Sequence, residues 1–88
     1  AAIPICGGGD PEFAKQIKDI PIWAFHGEKD TNVPVEYSRV MIEALKKEGG
    51  NPKYTEFRGA DHYIWDRVEN TPGLIDWLFT QKRYIVRQ

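Results

Sequence analysis

Two short segments carry residues that could move a proton together. One is His26-Gly27-Glu28-Lys29-Asp30-Thr31-Asn32-Val33-Pro34, the other Gly59-Ala60-Asp61-His62. Asp30 follows one apolar, strand-like run by about five residues and His62 follows a second by about four. In parallel α/β sheets, reactive groups gather where the strands end, because the loops there converge on one crevice. The two side chains are therefore expected to meet. A buried carboxylate that accepts from one imidazole nitrogen fixes the ring's tautomer and stabilises its protonated form. The other nitrogen is then left to take the proton of a nucleophile.

The nucleophile itself is harder to find. Ser38, the only serine, sits in a helical stretch with no glycines around it, and reads as an exposed or capping serine. Cys6 is the rival: it ends an apolar segment, precedes Gly7-Gly8-Gly9 and stands before Asp30 and His62. A strand-to-helix nucleophile turn needs glycine two residues earlier, however, and that position is Pro4. Cys6 therefore reads as a buried structural thiol. His26, at the end of an apolar run, reads as a hydrogen-bonded structural histidine, Asp61 as a loop or cap residue, and Asp66 as structural. A metal site from His26, Asp30 and His62 lacks the ligand spacing of metal motifs.

These residues must be carried by a small scaffold. The chain has 88 residues, 41% hydrophobic and 28% charged, as expected of one small globular domain. A formal charge of -1 with both signs interspersed gives no field to attract nucleic acid or acidic membranes. Trp23, Trp65 and Trp77 have no basic stripe beside them and read as packing residues, not a platform for bases. No apolar run is long enough to span a bilayer. A single cysteine allows no internal disulfide and leaves the compartment open. The chain starts inside an apolar run, with its only methionine at Met41, and is expected to be a piece of a longer polypeptide.

The element pattern reads strand-helix-strand-helix-strand-helix. Residues 1–6 form a short apolar strand, and Asp10-Pro11-Glu12 opens a helix. Residues 20–25 are nearly all apolar, as a strand covered on both faces should be. Tyr37, Val40, Met41, Ala44 and Leu45 form a helical stripe over 34–48, closed by Gly49. Residues 53–58 alternate like a strand nearer an edge, and Thr71-Pro72 opens a last helix with Leu74, Ile75, Leu78 and Phe79 inward. Helical crossovers make such strands parallel. The expected fold is α/β: a three-stranded parallel sheet with flanking helices over residues 1–83, and a tail at 84–88. The first strand would leave an open edge, to be covered by a preceding segment or a second copy of the chain.

Taken together, Ile22-Trp23-Ala24-Phe25-His26-Gly27-Glu28-Lys29-Asp30 with Val33-Pro34, Gly59-Ala60-Asp61-His62 and Trp65-Asp66 resemble the C-terminal third of an α/β-hydrolase. The nearest subgroup is the carboxylesterases related to the dienelactone-hydrolase and prolyl-oligopeptidase groups. The likeness runs from residue 3 to about residue 82. It implies that the first strand is the sixth of the usual eight, Asp30 the triad acid and His62 the general base. It further implies hydrolysis of a small carboxylic ester through an acyl-enzyme, with no cofactor. The family's Gly-x-Ser-x-Gly turn and oxyanion loop have no counterpart in these residues. The resemblance thus calls for a partner segment bearing the nucleophile, without which the chain is expected to be inactive. The alternative is a non-catalytic folded module that self-associates through its exposed strand edges.

Overall fold

The computed structural model describes residues 1–7 and 9–81. The tail assigned to residues 84–88, and its boundary, lie outside the described residues. The expected three-stranded sheet is corrected to two strands. Strand β1 (Trp23–Gly27) pairs in parallel with β2 (Lys53–Phe57), Trp23 opposite Lys53 and Gly27 opposite Phe57. The first segment lies along the other side of β1 but makes only two isolated parallel bridges, Ala2 to Ile22 and Ile5 to Phe25. The reason is Pro4. Trp23 N donates to Ala2 O and Phe25 N to Pro4 O, while Ala2 N and Cys6 N donate to Pro21 O and Phe25 O. The amide that would complete this ladder belongs to Pro4, which has no N–H to give.

All five residues of β1 are buried, which explains the unbroken apolar run, and β2 is half exposed at the edge. The pleat of β1 sends alternate side chains to opposite faces. Trp23 and Phe25 join Cys6, Ala60, Ile64, Val68 and Leu74 on one face. Ile22 and Ala24 join Ala14, Ile42 and Leu45 on the other.

Asp10 caps the first helical turn by accepting from Glu12 N at 2.9 Å, with Pro11 behind it. This turn, Pro11–Phe13, leads into α1 (Ala14–Ile17). Helix α2 (Glu36–Lys47) ends in two reversed bonds, Gly49 N to Lys46 O and Gly50 N to Leu45 O. Gly49 has φ +91°, the left-handed value this ending requires. Helix α2 is rotated relative to the sequence stripe: Ser38, Ile42 and Leu45 are buried, whereas Tyr37 and Val40 are more than half exposed. A polar residue, Ser38, occupies the inward face because it has a polar partner there.

A short helix α3 (Trp65–Glu69), absent from the expected pattern, follows β2 and buries Val68. Helix α4 (Leu74–Thr80) buries Leu74 and turns Trp77 onto Trp23, edge to face at 5.6 Å. Its expected inward residues Ile75 and Phe79 are exposed. The Trp77 indole therefore sets the phase of this helix, against the aliphatic stripe. Among the described residues no helix is long and apolar enough to cross a membrane.

Candidate active site

The loops that follow β1 and β2 are bonded to each other before one reaches Asp30 and the other His62. Glu28 N donates to Phe57 O at 3.0 Å and Lys29 N to Ala60 O at 2.8 Å. Gly59 N, at a φ of +74° that suits glycine, donates to Glu28 Oε1 at 2.8 Å. Gly27 makes this possible: the backbone of Ala60 and Asp61 lies where its side chain would be.

Asp30 sits at the head of a tight turn that folds back on its own carboxylate. Asn32 N and Val33 N each donate to Oδ1 at 2.8 Å. The other oxygen, Oδ2, lies 2.8 Å from His62 Nδ1. The Asp30 side chain is fully buried and that of His62 is 28% exposed. Burial by itself pushes the Asp30 carboxyl up, but the Val33 amide, the His62 ring and the Asn32 amide more than offset it. The group is held below the ordinary carboxylate range. It is thus an anion in a low-dielectric site, with donors on both oxygens. Because a carboxylate only accepts, His62 Nδ1 carries the hydrogen of this bond and Nε2 is the nitrogen left for another partner. Asp61, beside His62, accepts from Tyr63 N at 2.8 Å and shapes the histidine loop.

The structure therefore brings Asp30 and His62 together across 32 residues of sequence. His26 reaches the same place. Its ring is completely buried, with Nδ1 2.7 Å from Ser38 Oγ and Nε2 2.8 Å from Val33 O. Asp30 Oδ2 is 3.2 Å from that Nε2. Ser38 Oγ also donates to Gly7 O at 2.7 Å, which corrects its reading as an exposed or capping serine.

Cys6 lies under the pair. Its thiol donates to the His62 backbone carbonyl at 3.1 Å, not to the imidazole. It is buried and has φ +55°, the only non-glycine residue with a positive φ among those described. Burial first, and then the Asp30 charge, push its thiol above the usual range, the wrong direction for a nucleophile. Cys6, Asp30 and His62 have ligand-type atoms within 4.8 Å of one another. These atoms are already committed, Sγ to a carbonyl and Oδ2 to Nδ1.

Sequence reasoning missed the contact of His26 with the acid turn, the buried role of Ser38, and the need for glycine at position 27. The available signal was a histidine before glycine at a strand end, four residues from the acid.

The chain is similar to known hydrolases. Residues 11–83 match the model of the prolyl oligopeptidase family. A crystal structure of a thermostable esterase superposes with TM-score 0.83 and 47% identity, over 90% of this chain and 23% of that one. The propionate-bound esterase Est2 of Thermogutta terrifontis superposes with TM-score 0.51 and 32% identity, over 76% of this chain and 25% of that one. An uncharacterized secreted protein of Arthroderma benhamiae is 41% identical over 44 residues, half of this chain and 5% of that protein. The chain thus spans about a quarter or less of the length of each of these relatives. Since the family match takes in both strands, every described helix and the loops bearing Asp30 and His62, and the solved neighbours are α/β-hydrolase-like, the chain belongs to the prolyl oligopeptidase family.

Proposed function

We propose that this chain supplies the acid and the base of a serine carboxylesterase. Asp30 is the triad acid and His62 the general base. The nucleophile and the oxyanion donors come from a segment outside these 88 residues. The single observation that carries the reading is the 2.8 Å contact between Asp30 Oδ2 and His62 Nδ1, with a buried, multiply hydrogen-bonded anion behind a partly open imidazole.

The chemistry follows from that contact. His62 Nε2 accepts the serine proton as the hydroxyl oxygen attacks the ester carbonyl, and the ring becomes an imidazolium facing the Asp30 charge. The same nitrogen returns the proton to the departing alkoxide, leaving an acyl-serine. Water then repeats the sequence and releases the acid. Est2 of Thermogutta terrifontis is known with propionate bound. A short carboxylate is what cleavage of a small ester would release, which supports small carboxylic esters as substrates here. None of these steps calls for a cofactor.

The test is to express the chain with a preceding segment that carries a Gly-x-Ser-x-Gly turn and to follow p-nitrophenyl ester hydrolysis. Activity is expected in the combined protein. Asp30→Asn should lower kcat on the order of 10⁴-fold, and His62→Ala at least as much. Turnover that survives either change would refute the assignment.

A further inference from the structure

His26 is a completely buried histidine that the reaction described above does not use. An imidazole is costly to bury unless both ring nitrogens find partners, and an apolar side chain would fill the same space at less cost. Both nitrogens lie within hydrogen-bonding distance of an oxygen, and those oxygens are informative. Val33 is gripped at its two ends: its N–H donates to Asp30 Oδ1 at 2.8 Å and its C=O accepts from His26 Nε2 at 2.8 Å. Since Val33 O and the nearby Asp30 Oδ2 can only accept, Nε2 must carry a hydrogen. The polar edge of the ring therefore faces the same carboxylate oxygen, Asp30 Oδ2, that His62 Nδ1 contacts. On its other side, Nδ1 rests on Ser38 Oγ, which is bonded to Gly7 O. A continuous polar chain thus runs from the first segment, through α2 and the end of β1, into the turn that holds Asp30.

Resting on the esterase reading, we propose that His26 is a positioning residue for the triad acid. It holds the turn over residues 30–33 closed, so that the amides of Asn32 and Val33 fix Oδ1 and leave Oδ2 aimed at His62. Without its Nε2–H, Val33 O loses its donor, the turn relaxes, and the carboxylate drifts from the imidazole. A misplacement of about 1 Å at a reacting centre can cost about 100-fold in rate.

The experiment uses the complete enzyme, with a burst titration by p-nitrophenyl ester to count competent sites. His26→Leu removes the donor. His26→Asn carries an amide too short to replace Nε2. His26→Gln places an amide N–H near the position of Nε2. Per active site, Leu and Asn are expected to lower kcat about 10- to 100-fold, with KM within about threefold, and Gln to recover most of that loss. In an Asp30→Asn background the Leu and Asn changes should have little further effect, because their influence passes through the carboxylate. Should the Leu protein fail to fold, the Gln and Asn pair decides. The inference is overturned by unchanged kcat in Leu and Asn, by Gln falling as far as Leu, or by an equal loss in both backgrounds. If Asp30→Asn alone leaves activity intact, the esterase reading itself fails. If Asp30→Asn behaves as expected and His26 is indifferent, only this inference fails.

Discussion

Gly27 packs its α-carbon directly against the backbone carbonyl of Asp61, with no room between them for a side chain. A Cβ there would overlap that oxygen and lie 2.6 Å from Ala60 O, both rigid backbone atoms. This contact lets the histidine loop lie across the end of β1, and it sets how far His62 stands from Asp30.

Gly27→Ala is therefore expected to push the histidine loop outward. Overpacking of this kind costs about 1–3 kcal/mol of stability, which a urea unfolding curve will measure. The change should also stretch the bond between His62 Nδ1 and Oδ2, so kcat falls more than stability alone explains. An alanine variant with unaltered stability and turnover would contradict the close approach.

Asp30 links the site to acid stability. Its folded-state carboxyl lies below the ordinary range, because the Val33, His62 and Asn32 donors outweigh burial. A depressed carboxyl adds stability that is fully present above its unfolded value of about 4 and is lost as pH falls through the lower folded value. The stability gap between the native protein and Asp30→Asn should thus be constant well above pH 4 and narrow below it. Urea titrations at a series of pH values test this; a gap that widens on acidification would reverse the sign.

Cys6 is predicted to be chemically quiet. Its thiol is buried, donates to His62 O, and is pushed above the usual range by burial and by Asp30. It should react with a thiol-specific disulfide reagent only after denaturant is added. Cys6→Ser in the complete enzyme should still turn over ester. Rapid labelling of the native protein with loss of turnover would instead make Cys6 the nucleophile.

Phe25 is the aromatic centre of the core. It is fully buried, stacked on Trp23 at 5.4 Å and on Phe57 at 6.1 Å. Replacing such a side chain with alanine costs about 3–5 kcal/mol, a large share of the about 5–15 kcal/mol that stabilises an ordinary domain. Phe25→Ala should unfold far below the native midpoint in a thermal melt. A midpoint within a few degrees of native would show that Phe25 does not anchor the sheet.

What could be read without coordinates was local. The apolar run ending at Phe25, the Asp10-Pro11 helix start, the Gly49 stop, and an acid and a histidine just past two strand ends each depend on neighbours in the chain. Short-range sterics and hydrogen bonding fix such features, so the sequence alone carried them, and the paired loops resembled one hydrolase family. Packing decided the rest. Pro4 breaks the first strand only because β1 lies beside it, and Ser38 turns inward only because His26 and Gly7 wait there. Trp77 overrides the aliphatic stripe of α4 because Trp23 offers it an edge. The approach of His62 to Asp30, and of His26 to the same turn, joins residues whose meeting depends on strand register and on the bare α-carbon of Gly27. Distances of that kind are fixed by how whole elements stack, and only the folded structure determines them.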